Sequence, residues 1–226
     1  IYCFDAFARP TRVRKSNSLG WSRTETTEYH DNLALWVLGQ VARVTVDDAG
    51  PNGLGVGMVS METGYNAQAL PAWNKRFGRL QQRMTYHADG TLATVTDVRG
   101  HVTTATDWKR GIPQTIRHPA TTEAPAGAVE SATVDDNGWI TSVTDESGAK
   151  TCYGYDSMGR IASVLHPSET QPGVCDTSAW NPVAMTFEKI AAAAHGLAPG
   201  HWRAARSEGD LRVNVYYDAL WRPVLE

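Results

Sequence analysis

Short runs of Thr, Val, Ile and Tyr, each ended by a glycine-bearing turn, fill the middle of this chain. Such runs suit a pleated surface, and the glycines recur about every ten residues, the period of one strand plus a tight turn. The pattern predicts strands over 79–87, 91–97, 101–107, 112–117, 130–135, 139–145, 149–155 and 160–165, joined as a row of antiparallel hairpins. Asp89-Gly90 and Asn137-Gly138 predict type I′ turns, in which both central residues hold positive φ. Arg99-Gly100 and Ser147-Gly148 are weaker versions. The strand faces are mixed. Leu92 and Val95 fall on opposite faces of 91–97; in 139–145, Trp139 and Val143 share one face while Ile140 takes the other. A packed sandwich alternates more sharply. The pattern points to a mainly β fold, a curved antiparallel sheet of successive hairpins with a semi-polar inner wall.

Elsewhere the pattern loosens. Residues 22–47 suggest two strands joined near Asp31-Asn32, the second including Leu35-Trp36-Val37-Leu38. Gly50 to Gly57 and the Pro/Ala/Thr stretch 118–128 read as connectors. One short docked helix is predicted over 181–195, inside an insertion spanning 167–210. Asn181 would cap it, Pro182 would take the favoured first position, and Gly196 would stop it. Phe187, Ile190, Ala191 and Ala194 lie at helical spacing.

Internal repeats organise the rest. The segments from Gly90 and from Gly138 align without a gap at an offset of 48, placing Gly90, Asp97, Gly100 and Gly111 on Gly138, Asp145, Gly148 and Gly159. A second repeat joins the ends at an offset of 213: Phe4, Asp5, Arg9 and Pro10 match Tyr217, Asp218, Arg222 and Pro223. The central copy is Tyr155-Asp156-Ser157-Met158-Gly159-Arg160-Ile161. The unit reads aromatic, Asp, two variable residues, a tight-turn residue, Arg, then Pro or an apolar residue. The aromatic would pack at the strand end, and the Asp would accept amide N–H bonds across the turn. The Gly would take the left-handed position, and the Arg would open the return strand and pair with the Asp. Ala8 and Trp221 stand where the central copy has Gly, which predicts a different turn type. Thr106-Asp107 takes the place of Tyr-Asp and lacks the aromatic anchor.

Composition narrows the function classes. With 226 residues the chain suffices for one large or two small domains; we read it as a single repeat-sheet segment, 1–226. At 42% apolar residues and a mean hydropathy of −0.36 it is polar for that length. A net charge of −3 argues against a nucleic-acid or anionic-membrane face. No stretch approaches the ~18 apolar residues of a membrane-spanning helix. The first fifteen residues lack the basic-then-apolar order of a signal peptide. The chain reads as a fragment of a longer one, with Leu225-Glu226 a candidate cloning scar. The three cysteines, Cys3, Cys152 and Cys175, leave at least one free thiol. Cys152 reads as a small buried apolar group, with a Cys152–Cys175 bridge as the alternative.

The strings YDSMGRI, VTDESGAKTCYGYD, VTDVRGHVTT, TTEYHDNLALWVLGQVARVTV and YYDALWRP resemble the RHS/YD-repeat proteins. The resemblance covers most of the chain and is weakest in 48–78 and 167–210. It implies a long spiral of β-hairpins that closes into a hollow shell. In bacterial polymorphic toxins such a shell encloses a C-terminal toxin, and the related teneurins act in adhesion. The expectation is therefore a structural, non-catalytic segment of a secreted or cell-surface parent. Its partners would be further repeats and a toxin domain of the same polypeptide. The family's shell is often closed by a core with an Asp-Pro cleavage motif, and this sequence has no Asp-Pro dipeptide. The strand edges of a fragment are also expected to self-associate.

No catalytic, cofactor or metal site is expected. His30, His87, His101, His118, His166, His195 and His201 form no HExxH or close His/Cys cluster. His118 and His166 each precede a Pro at the end of a hairpin strand, which reads as structural repetition. Gly53-Leu54-Gly55-Val56-Gly57 lacks the Lys-Ser/Thr of a phosphate loop. Asp47-Asp48 and Asp135-Asp136 lie at turns, where Asp is ordinary. The eight tryptophans read first as strand anchors. Trp108 and Trp139, beside turns, are candidate platforms for stacking a sugar. They carry the alternative function, a surface module that binds glycan or a partner protein.

Overall fold

The computed structural model describes residues 1–53, 57–176 and 182–226. The middle of the glycine loop (54–56), Trp180 and the expected cap Asn181 lie outside the described residues. The first nine strands are β1 (Tyr2–Phe4), β2 (Pro10–Ser16), β3 (Ser22–Asn32), β4 (Val37–Ala49), β5 (Met58–Tyr65), β6 (Pro71–Arg76), β7 (Arg79–Tyr86), β8 (Leu92–Asp97) and β9 (Val102–Lys109). The remainder are β10 (Ile112–Arg117), β11 (Val129–Val134), β12 (Ile140–Thr144), β13 (Lys150–Tyr155), β14 (Ile161–Leu165), β15 (Val183–Lys189), β16 (Trp202–Glu208), β17 (Leu211–Tyr217) and β18 (Pro223–Leu225). Each strand pairs antiparallel with its successor in the chain, in an 18-stranded sheet. Two compact units divide the chain: 1–105 with 118–125, and 106–117 with 126–226.

The mixed strand faces have a structural counterpart. Among the described residues the buried apolar side chains are Val46, Ala69, Ala105, Val134 and Val183, and no large side chain is fully covered. The six residues of β13 are all half-buried. Stability in such a sheet rests on ladder hydrogen bonds and cross-strand side-chain pairs more than on a thick interior.

Three expectations need correction. The helix over 181–195 is absent: β15 pairs with β16 from Ala184↔Ser207 to Lys189↔Trp202. Val183, Met185 and Phe187 alternate with the more exposed Ala184, Thr186 and Glu188, a period of two hidden inside the helical spacing. Phe187 stacks on Trp202 at 5.1 Å, and this cross-strand pairing overrides the helix preference of the alanines just beyond it. His195-Gly196 instead forms a tight turn, both residues at positive φ. Second, Leu35 and Trp36 belong to the four-residue loop 33–36, not to β4. Third, Cys152 is bonded to Cys175, with Cα atoms 6.0 Å apart. The bridge fastens the connection after β14, where Pro167 also pairs with Cys175 and Lys150 N–H donates to the Pro172 carbonyl at 2.7 Å. Cys3 is free and exposed.

Candidate functional site

The recurring chemical feature is a five-residue turn. In the Asp156 copy, Asp156 N–H donates to the Arg160 carbonyl at 2.9 Å and Gly159 N–H donates to the Asp156 carbonyl at 3.0 Å. Asp156 Oδ1 accepts the amides of Met158 (2.8 Å) and Arg160 (3.0 Å), while Oδ2 accepts Arg160 Nε at 2.7 Å. The same bonds recur at Asp5, with Phe7 and Arg9 (2.9, 3.0 and 2.7 Å). They recur again at Asp218, with Leu220 and Arg222 (2.8, 3.0 and 2.8 Å). Ala8 and Trp221 hold φ of 59° and 62° against 78° at Gly159. The expected change of turn type at those two residues does not occur, because the surrounding bonds impose the left-handed conformation on a residue that has a Cβ.

The type I′ expectation at Asp89-Gly90 and Asn137-Gly138 is also corrected. Only the glycine of each pair has positive φ. These loops are five-residue turns of the same form, closed by His87 N–H to the Thr91 carbonyl (2.8 Å) and Asp135 N–H to the Trp139 carbonyl (2.9 Å). Both central residues are left-handed instead at Phe77-Gly78 and Arg110-Gly111. Gly111 therefore differs from its repeat mate Gly159, and Thr106-Asp107 lies inside β9 rather than at a turn.

Six copies of the bulged turn exist among the described residues. In each, the strand pairing shifts register beside the turn, between the last strand residue and the one before it: at Cys3/Phe4, Gly64/Tyr65, Thr85/Tyr86, Thr133/Val134, Gly154/Tyr155 and Tyr216/Tyr217. Three were not read as copies of this unit: those starting at His87 and Asp135 were expected as type I′ turns, and the one at Asn66 was not expected. Asn66 uses its amide oxygen as Asp156 uses Oδ1, accepting Gln68 N–H at 3.0 Å and Leu70 N–H at 2.9 Å. The legible signal was an aromatic followed six residues later by Pro or an apolar residue, as in Tyr65…Pro71 and Tyr86…Leu92.

A second bond ties neighbouring hairpins. Tyr86 Oη donates to the Pro71 carbonyl at 2.7 Å, Tyr155 Oη to Ile140 at 2.7 Å, Tyr65 Oη to Val41 at 2.8 Å and Tyr29 Oη to Pro10 at 2.9 Å. Burial pushes the phenols of Tyr65, Tyr86 and Tyr155 up. Arg9 extends its turn further: it bonds Asp31 through both terminal nitrogens at 2.6 and 2.8 Å and lies 4.4 Å from the Tyr29 ring centroid. Arg9, helped by the Gly39 amide, pulls the Asp31 carboxyl from 3.8 down to about 2. Arg160 sits 4.4 Å over the Phe187 ring.

Hydrogen bonds to these turns hold the carboxyls of Asp5, Asp156 and Asp218 below their ordinary value, the Arg side chain being the foremost cause at Asp5 and Asp218 and the Arg160 amide at Asp156. A carboxylate so engaged is a fixed acceptor and a poor base. Among the candidate sugar platforms, Trp139 is half-buried, 5.1 Å from the Tyr155 ring and against the α-carbon of Gly159. Trp108 is half-buried in β9.

Residues 134–171, which hold two copies of the turn, match the family model described as RHS Repeat. This segment is an RHS repeat. Beyond it, the likeness is one of fold. A solved structure described as TcdB2-TccC3-TEV aligns with 99% of the chain at a TM-score of 0.53 and 11% identity. The Photorhabdus luminescens Tc holotoxin pore with a TccC3 mutation aligns with 99% at 0.50 and 11% identity. The chain spans 12% of the length of each of those solved chains. Comparison with curated proteins gave no match.

Proposed function

We propose that this RHS chain is a non-catalytic wall segment of a repeat shell that encloses or presents a C-terminal toxin domain of the same polypeptide. The observation that carries the reading is the six-fold recurrence of the bulged turn. A sheet that repeats one closure device lengthens hairpin by hairpin, as a wall requires. The carboxylates of the Arg-bearing turns are spent on holding those turns. The partners in this reading are further repeats and the enclosed domain.

Limited proteolysis of a longer polypeptide, carrying both this chain and a domain C-terminal to it, tests the proposal. The downstream domain should resist protease in the intact polypeptide and be degraded when expressed alone. Equal digestion in both settings would remove enclosure.

A further inference from the structure

The hairpin between β3 and β4 ends in Leu33-Ala34-Leu35-Trp36. Leu33 is 62% exposed, Leu35 52% and Trp36 72%. Trp36 holds φ of 53°. Glycine or asparagine ordinarily occupies that left-handed position, and glycine would close the same loop without strain. Trp221 is likewise exposed at positive φ, but its ring stacks on Phe187 and Trp202; at the Leu33–Trp36 tip the more exposed indole in a strained backbone points to a role outside the sheet.

Local bonds present the tip in a fixed form. Leu35 N–H donates to Asn32 Oδ1 at 3.0 Å and Trp36 N–H to the Leu33 carbonyl at 3.3 Å. The flanking turns stand beside it. Asn32 Nδ2 donates to the Ala67 carbonyl at 3.3 Å, and Arg9, from the turn that carries exposed Phe7, bonds Asp31. Residues 33–38 contain no charge. Asp31, the carboxylate closest in sequence, is paired with Arg9, which it shares with Asp5.

We infer that this tip is a lipid-interface anchor, with Leu33, Leu35 and Trp36 seated among the headgroups of an electroneutral bilayer. A four-residue tip falls well short of the roughly 800 Å² per partner that a stable protein–protein interface uses. A bilayer interface, by contrast, accepts a few apolar side chains and favours Trp at headgroup depth. With no charge at the tip, binding does not depend on anionic lipid. The inference stands apart from the enclosure reading, since it concerns the outward tip of one hairpin.

Flotation of the 226-residue chain with phosphatidylcholine vesicles, with and without phosphatidylglycerol, tests it. The chain should float equally with both and be insensitive to salt. Trp36→Gly should lower the bound fraction about tenfold, as should Leu35→Ser, and Trp36→Phe should retain most of it. Trp36→Gly relieves backbone strain, so a native circular-dichroism spectrum is expected and lost flotation then reports binding. Absence of wild-type flotation, or equal flotation of Trp36→Gly, overturns the inference. So does salt-sensitive binding confined to phosphatidylglycerol vesicles. A Trp36-dependent dimer in sedimentation without flotation overturns it in favour of a second copy of the chain.

Discussion

Two families of five-residue turn close the hairpins of this sheet. Those at Asp5, Asn66, His87, Asp135, Asp156 and Asp218 join an odd-numbered strand to the next even one, and each is followed by a register shift. Those at Asn17, Asp97 and Asp145 join even to odd, and the ladder beside them is regular. The loop bonds are the same: Asp145 Oδ1 accepts the amides of Ser147 and Ala149 at 2.9 Å each. The loop alone therefore does not make the bulge. What differs is the neighbourhood: in five of the six an aromatic precedes the turn (Val134 stands in the sixth), and its hydroxyl, where it is Tyr65, Tyr86 or Tyr155, bonds the preceding strand. A bulge increases local strand twist, so one set of turns shapes the sheet and the other only reverses the chain.

The largest expected effect tests whether the regular side leans on a covalent tie. Reducing Cys152–Cys175, which anchors an even-to-odd connection, should cost about 3 kcal/mol of unfolding free energy. Amide exchange should localise the loosening to 166–176; an unchanged urea midpoint would assign the bridge no such role. Next comes Gly159→Val against Gly148→Val. Both residues have positive φ, 78° and 86°, but a Cβ at Gly159 would meet Trp139 at 2.9 Å while at Gly148 it meets open space. About 1–2 kcal/mol is expected at Gly148 from backbone strain alone, and clearly more at Gly159. Equal losses would show that the bulged side is no more crowded.

Smaller effects sharpen the same contrast. Tyr86→Phe removes the bond to the Pro71 carbonyl and should cost about 1 kcal/mol. Phe4, which lacks a hydroxyl, should tolerate conversion to Leu with less change; a larger loss there would show that ring packing, not the hydroxyl, marks the bulged side. The smallest effect is a pH dependence. The Asp31 carboxyl is depressed from 3.8 to about 2 by Arg9 and the Gly39 amide. Its contribution is therefore complete above the unfolded-state value and is lost as pH falls through about 2. The thermal midpoint should fall between pH 4 and 2, and more shallowly in Arg9→Met.

The hairpin row, most strand boundaries in 79–165 and the Asp-to-Arg turn units were legible because period two and glycine turns are local signals. The bulges were not, since a register shift is a property of two strands and shows only as an extra residue such as Ala162, between Tyr155↔Ile161 and Gly154↔Ser163. The shared form of the turns at Asn66, His87 and Asp135 was illegible because Asn66 and His87 replace Asp and Val134 replaces the aromatic. The false helix arose where alanines 191–194 extended an apolar pattern whose true period, Val183-Met185-Phe187, was only three residues deep. The left-handed state of Ala8 and Trp221 was illegible for a related reason: residue type argues against it, and only the assembled bonds enforce it.

The tyrosine bonds reach no further than the adjacent strand, and the ladder joins each strand only to its sequence neighbours. Mechanically, such a sheet is a zip. Tension applied at the two chain ends loads the outermost ladder first, a bond or two at a time, and each released hairpin leaves its neighbour intact. A molecule built this way yields to modest force in small successive steps, its strands drawn out one by one except where Cys152–Cys175 ties β13 to the connection after β14.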